Sequence, residues 1–441
     1  MRHAGRGLAA VLLLVATARF AAAGGQLDLS YGVNGFVTIE SGPWGQRFYT
    51  NGAAPSLDPA NADAVLLVGA VPAPSGLGLY SAAVTPAGTL LGPSLLGLGT
   101  STAFDAFTRI IADPADASHR LYVAGYRYSQ GARPPSAFLV GRLGPLADSP
   151  DPAWGSGAPV VTTIPGTTQA AATALAIQPD GKLLVAGAAG DGFADIALAR
   201  FDTSGALDAA FGSGGTLVIP GGIVEAIAVQ NDEKIILAGF LVDGPFGNFG
   251  IMRLLADGTL DTTFGAGYGT AGIVSTGFAL RYTQGVAVGV QALPDGRIAA
   301  AGSDWDPYGR KGSFIAARYL ADGTLDPTFG KGKKGRYRKR VGKSNAAGAV
   351  AFLADGKILI AGTARRNNPE FNSDIALMQL DASGRPDRTF GHGGKVQTPA
   401  VPDTEGFDVH DVVVDSLGRL TVVGVSADGS GKATILTRYL P

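Results

Sequence analysis

Cysteine is absent from the 441 residues. Disulfides, thiolate zinc sites, cysteine nucleophiles and lipid attachment through an N-terminal cysteine are excluded together. Histidine is nearly as scarce. Beyond residue 23 it occurs at His119, His392 and His410 alone, too far apart in sequence for metal-ligand spacing. Charged residues make up only 16%, and the net charge is −1, so no global field draws the chain to nucleic acid or an anionic membrane. No stretch beyond the N-terminus approaches the roughly 18 apolar residues of a membrane-spanning helix. No segment sustains a helical period over about 11 residues. A Gly-x-Ser-x-Gly elbow and a phosphate-cradling glycine loop are also missing. Nothing here calls for a cofactor or a metal.

Residues 1–23 have the three parts of a secretory signal. Arg2 and Arg6 supply positive charge, Leu8 to Ala18 form the apolar run, and Ala21-Ala22-Ala23 offers small residues for cleavage. The mature domain is therefore expected to span 24–441, exported to the periplasm, the cell surface or the medium. An exported chain without disulfides must be held by its core and its topology, which favours export from a bacterium.

Glycine is abundant, at 66 residues without a period of three, which signals turns rather than collagen. The turns recur. LADGTLDPTFG at Leu320–Gly330 returns as LADGTLDTTFG at Leu255–Gly265, and more loosely at Asp202–Gly212 and Asp381–Gly391. Setting the turn aspartates Asp28, Asp151, Asp208, Asp261, Asp326 and Asp387 in register gives spacings of 123, 57, 53, 65 and 61. The first gap is double, and a degraded copy, PAGTL at Pro86–Leu90, fills it. A second block, of the form PDGKLLVAG (Ala176–Gly187, Val229–Gly239, Ala292–Gly302, Phe352–Gly362, Val414–Gly424), also counts seven when worn copies at Asn61–Gly69 and Asp113–Gly125 are included.

Each unit reads as four short strands. An apolar alternation enters the PDGK turn, where proline fixes φ and Asp-Gly makes the corner. A branched second strand follows, then a variable loop, a third strand such as Ser313–Tyr319, the LDxTFG turn and a short fourth strand. Seven such units predict an all-β fold, a single seven-bladed β-propeller of four-stranded antiparallel blades. The chain begins with a turn and a fourth strand (Leu27–Ile39) and stops after a third strand (Ala433–Pro441). Phe36–Ile39 is therefore expected to complete the last blade and close the ring.

The pattern carried by Gln178–Gly187, Leu207–Gly212, Leu260–Gly265, Leu325–Gly330 and Phe352–Gly362 resembles the delta-60 repeat family of bacterial exported or cell-surface proteins. The resemblance implies a propeller-like fold and an exported location. It brings no catalytic residues.

Candidate sites divide into repeated and non-repeated residues. The turn aspartates lack the alternating ligand spacing of a calcium loop and read as turn-capping groups. The turn aromatics Trp154, Phe211, Phe264, Phe329 and Phe390 read as packing between blades. Arg142, Arg200, Arg253, Arg318 and Arg438 share one register position, with Gln379 and Ala83 as exceptions, and are expected to bond the turn aspartates or carbonyls rather than form an anion-binding ring.

Lys331–Lys343 is different, with eight basic residues in 13. Lys333, Lys334, Arg336, Arg338, Lys339 and Arg340 could bind an anionic polymer or could keep an outer edge strand soluble. The variable loops fall on one face of a propeller and carry Trp44, Arg47, Tyr49, Tyr126, Tyr128, Arg281, Tyr282, Asp304, Trp305, Asp306 and Tyr308. Aromatic residues with Asp and Arg suit a sugar or peptide. The sequence thus points to a binding or structural scaffold for cell-envelope glycan, peptide or anionic polymer. A glycosidase or lyase working through loop carboxylates is the alternative.

Overall fold

The computed structural model describes residues 24–39, 49–73, 76–95, 104–128, 135–242, 247–266, 270–278, 284–306, 311–332, 334–365, 373–399, 406–428 and 431–441. It consists of seven four-stranded antiparallel sheets. The innermost strands, which open blades 1 to 7 in order, are Tyr49–Pro55, Phe104–Ala112, Ala170–Ile177, Gly222–Val229, Gln284–Ala292, Asn345–Phe352 and Gly406–Val414. Neighbouring innermost strands touch one another around a full circle, blade 7 against blade 1 included. The inner edge of each sheet faces the axis, shielded inside the ring.

The last blade takes its outer strand from the start of the chain. Phe36 pairs with Thr437, Val37 with Leu436, Thr38 with Ile435 and Ile39 with Thr434. The segment before it replaces the turn that would follow the last strand. Gly25 N–H donates to Leu440 O at 2.7 Å, and Leu440 N–H to Gln26 O at 2.8 Å. The expected closure therefore holds. It joins Phe36–Ile39 to Thr434–Thr437 without a covalent link.

The repeated motif is a staple between blades. In blade 5, Arg318 Nε donates to Asp326 Oδ2 at 2.7 Å, and its Nη1 reaches Ala382 O of blade 6 at 2.6 Å. The guanidinium lies 4.9 Å from the Phe329 ring centre. Arg200, Arg253 and Arg438 repeat the same three contacts with Asp208, Asp261 and Asp28. Arg142 follows with Asp151 and Thr203 O. A second cation from the strand-one turn reaches Asp151, Asp208, Asp261, Asp326 and Asp387, as Arg297 reaches Asp326 at 3.1 Å.

Each turn aromatic is buried, and Trp154, Phe211, Phe264 and Phe329 meet the turn glycines Gly205, Gly258, Gly323 and Gly384 of the next blade. At Gly323 (φ +90°), an added Cβ would fall 3.0 Å from the Phe264 ring, so only glycine fits both the φ and the contact. Blade 1 departs from the scheme. A tight hairpin joins Gly76–Val84 to Leu90–Leu95, and position 83 is alanine, so no arginine staple leaves that blade; Ser81 Oγ donates to Ala147 O of blade 2 instead.

Candidate functional site

The staples account for most of the repeated charge. What remains lies in the central channel. Every innermost strand carries a β-bulge at one register position, which sets one residue out of the ladder. The bulged residues are Asn51, Thr108, Thr173, Glu225, Val288, Gly348 and His410 in blades 1 to 7.

Blades 1 to 3 use the bulge for stitching. Asn51 Nδ2 donates to Phe107 O of blade 2 at 3.1 Å, Thr108 Oγ1 to Ala172 O of blade 3 at 2.7 Å, and Thr173 Oγ1 to Val224 O of blade 4. In blades 4 to 6 the pattern breaks. Glu225 is acceptor-only when ionised, and Val288 and Gly348 have no side-chain donor. At Gly348 the Val409 carbonyl of blade 7 occupies the place a Cβ would need, 1.8 Å away.

The break coincides with a cavity of about 310 Å³ lined by Asn51, Thr108, Arg109, Tyr126, Thr173, Glu225, Gly348, Val409 and His410. Arg109 and Asp411 hold the same repeat position, one residue past the bulge in blades 2 and 7. Burial pushes the Glu225 carboxyl above the ordinary range, and Arg109 pulls it only partly back. Burial also raises Asp411, against Arg109 and the amides of Ala53 and Val412, which donate at 2.9 and 2.8 Å. Arg109 gives one N–H to Thr108 O at 2.9 Å.

Tyr126, near the loop end of its strand, places the cavity toward the variable face. Its ring lies 5.3 Å from that of Tyr128, edge to face, and burial beside Tyr128 pushes its hydroxyl up to about 12. A larger groove of about 480 Å³ between the outer strands of blades 3 and 4 is mostly apolar, lined by residues such as Leu217, Ile219, Met252 and Ile273. Among the described residues no group of three His, Cys, Asp or Glu is placed to hold a metal.

Of the described loop-face residues singled out in the sequence, Tyr126 lines the channel cavity. Trp44, Arg47, Arg281, Tyr282 and Tyr308 lie outside the described residues, and Tyr49 opens the first innermost strand. Trp305 Nε1 donates to Gln284 Oε1 at 3.1 Å. Asp304 is buried and pairs with Arg338 at 2.5 Å, so it is committed to its own blade rather than to a cation shared with Asp306.

The basic segment is the outer strand of blade 5, Arg336–Lys339. Lys334, Lys339 and Arg340 are exposed, and Arg336 bonds Gly277 O. Tyr337 packs against the core between blades 5 and 6, so charge does not occupy both faces evenly. Lys333 lies outside the described residues. Lys395, from the outer strand of blade 6, has its pKa lowered by burial and by Lys339.

Four stretches, 178–211, 230–264, 293–329 and 353–390, match the family model described as "Domain of unknown function (DUF5122) beta-propeller". These are β-propeller repeats. No curated protein matches the chain. Among solved structures, a protein of unknown function from Dyadobacter fermentans is similar at 11% identity and TM-score 0.48, over 92% of this propeller and 97% of its own chain. An ulvan lyase of polysaccharide lyase family PL25 is similar at 10% identity and TM-score 0.49, over 90% and 94%. Chaetomium thermophilum Sqt1 bound to the N-terminus of ribosomal protein L10 is similar at 10% identity and TM-score 0.44, over 92% and 99%. At this distance what those proteins bind or cleave stays with them. No helix among the described residues of the propeller is long and apolar enough to cross a membrane.

Proposed function

We propose that this protein is an exported propeller of the delta-60 repeat kind that acts as a binding scaffold. Its ligand sits in the central channel, toward the loop face. Residues 1–23 direct export, and cell-envelope peptide or glycan fragments are the partners in reach. One observation carries the reading. The bulge side chains stitch blades 1 to 3 together, but in blades 4 to 6 the same register holds Glu225, Val288 and Gly348, and Arg109 lines the same cavity as Glu225. An enclosed carboxyl and guanidinium that make no bond between blades are costly to keep and typical of functional sites. Glycan arrays, peptidoglycan pull-down and a thermal-shift screen of small polar compounds test it. A ligand should emerge whose binding is lost in Arg109→Met. Hits insensitive to every channel substitution count against it.

Two carboxyls with raised pKa in one channel favour a second reading, a carbohydrate-active enzyme in which a protonated Glu225 acts as general acid. Release of reducing or unsaturated ends from envelope or algal polysaccharides, abolished by Glu225→Gln, would establish it. A separate polyanion surface on the outer strands of blades 5 and 6 rests on the crowding of Lys339 and Lys395.

A further inference from the structure

The stitching rule shows what the channel lacks. Phe107, Ala172 and Val224, each just before a bulge, have their carbonyls capped by a side-chain donor from the preceding blade. The equivalent carbonyls of Ala287, Ala347 and Val409 face blades whose bulge residues are Glu225, Val288 and Gly348, and among the described residues no side-chain bond to them is seen; of the three, Val409 lines the cavity. Glu225, also in the lining, adds two acceptor oxygens and receives no hydrogen bond from a described residue. Arg109, in the same lining, spends one N–H on Thr108 O, and no other described acceptor takes the rest. The cavity wall thus carries an unpartnered carboxyl and a cation with spare donors. Asp411 is less available, since both of its oxygens already accept backbone N–H groups.

We propose that the channel binds a small zwitterion, with its ammonium group against Glu225 and its carboxylate on Arg109. An ammonium supplies three donors and no acceptor, which suits an acceptor-only carboxylate. A carboxylate matches the planar guanidinium fork. A cavity of about 310 Å³ is at the small end of ligand pockets, roughly 300–1,000 Å³, so free amino acids and ω-amino acids fit the class better than polymers. A neutral sugar would give Glu225 no charged donor and Arg109 no charged acceptor. This inference rests on the channel being the ligand site.

The test is calorimetric titration of the mature protein at pH 7 with amino acids and ω-amino acids. Each is paired with its N-acetyl and its amide form, and a neutral disaccharide panel runs alongside. At least one free zwitterion should bind, and acetylation or amidation should weaken it about tenfold or more, as for loss of a charged hydrogen-bonded pair. Glu225→Gln should reproduce the effect of acetylation and Arg109→Met that of amidation, in variants whose circular dichroism melts show an intact fold. No zwitterion binding up to about 10 mM, the weak end of specific affinity, overturns the proposal, as does binding indifferent to acetylation or to Glu225→Gln. If neutral sugars bind and Arg109→Met abolishes that binding, this inference fails while the channel remains the ligand site. If nothing binds in a channel-sensitive way, both fail.

Discussion

Replacing Arg318 tests whether the repeated arginines are structural. The side chain pairs with Asp326 at 2.7 Å, with the two side chains 10% and 1% exposed. It also donates to Ala382 O across the blade boundary at 2.6 Å and covers the Phe329 ring. Breaking a buried pair costs about 3–5 kcal/mol, but Asp326 keeps Arg297 and Thr328, so the low end applies to that contact. The cross-blade bond to a charged donor is worth about 1.5–3 kcal/mol. These losses overlap, and Arg318→Ala should destabilise the protein by about 3–5 kcal/mol in all. Blade 6 supplies the control. Gln379 sits at the same position and donates to Asp387 at 2.9 Å, with no reach to the next blade. Arg318→Gln should therefore cost about half as much as alanine, since it keeps the aspartate contact and loses only the cross-blade bond. Urea unfolding followed by circular dichroism gives both values. An alanine variant within about 1 kcal/mol of wild type, the range of an exposed ion pair, would refute the staple. So would a glutamine variant as unstable as alanine.

Other outcomes follow from the electrostatics. Burial works against the charged forms of Asp326 and Asp387, but hydrogen bonds from Thr328 and Thr389 and from their cationic or amide partners hold both at about 2. A folded-state pKa below the unfolded value of 3.8 contributes stability that is present above that value and lost as pH falls through about 2. The melting temperature should stay nearly level from about pH 7 to 5 and drop steeply between about 4 and 2; a drop completed above pH 5 would contradict this. Glu225 has the opposite sign. Its raised folded pKa gives stability that is present below the unfolded 4.5 and lost as pH rises through the folded value. Glu225→Gln should thus raise the melting temperature at pH 7–8 and lose that advantage near pH 4, and equal melting curves at pH 8 would speak against an enclosed carboxylate. On heparin, neutralising Lys334, Lys339, Arg340 and Lys395 together should move elution to lower salt, whereas Arg338→Gln, whose charge is held by Asp304, should move it little. Unchanged retention of the fourfold variant removes the polyanion surface.

The architecture was readable because it is repeated. LDxTFG and PDGK recur at nearly constant spacing, and each copy encodes the same turn, aromatic contact and ion pair, so six weak signals add to one strong one. The closing strand Phe36–Ile39 was readable because the last unit lacked a fourth strand. The channel was harder to see. Glu225, His410 and Arg109 lie in apolar first strands, scattered along the chain, and periodicity alone makes them look like ordinary alternation. A usable signal was present: Asn51, Thr108, Thr173, Glu225, Val288, Gly348 and His410 align in register ahead of each PDGK-type turn, and the odd residues in that column mark the site. Reading it required knowing that the column is a bulge facing the axis. The Asp304–Arg338 pair was also hidden, because it joins the end of one strand to the outermost strand across the variable loop.

The central claim is a division of labour: repeated charge holds the blades, and the odd residues of the bulge column hold a ligand. Thermal melts of wild type, Arg109→Met and Arg253→Gln, each with and without a zwitterion that stabilises the wild type, test it in one data set. Arg253→Gln should melt lower without ligand yet keep the full ligand-induced rise, while Arg109→Met should show no rise from its own ligand-free melting temperature. A ligand-induced rise preserved in Arg109→Met and lost in Arg253→Gln would contradict the account.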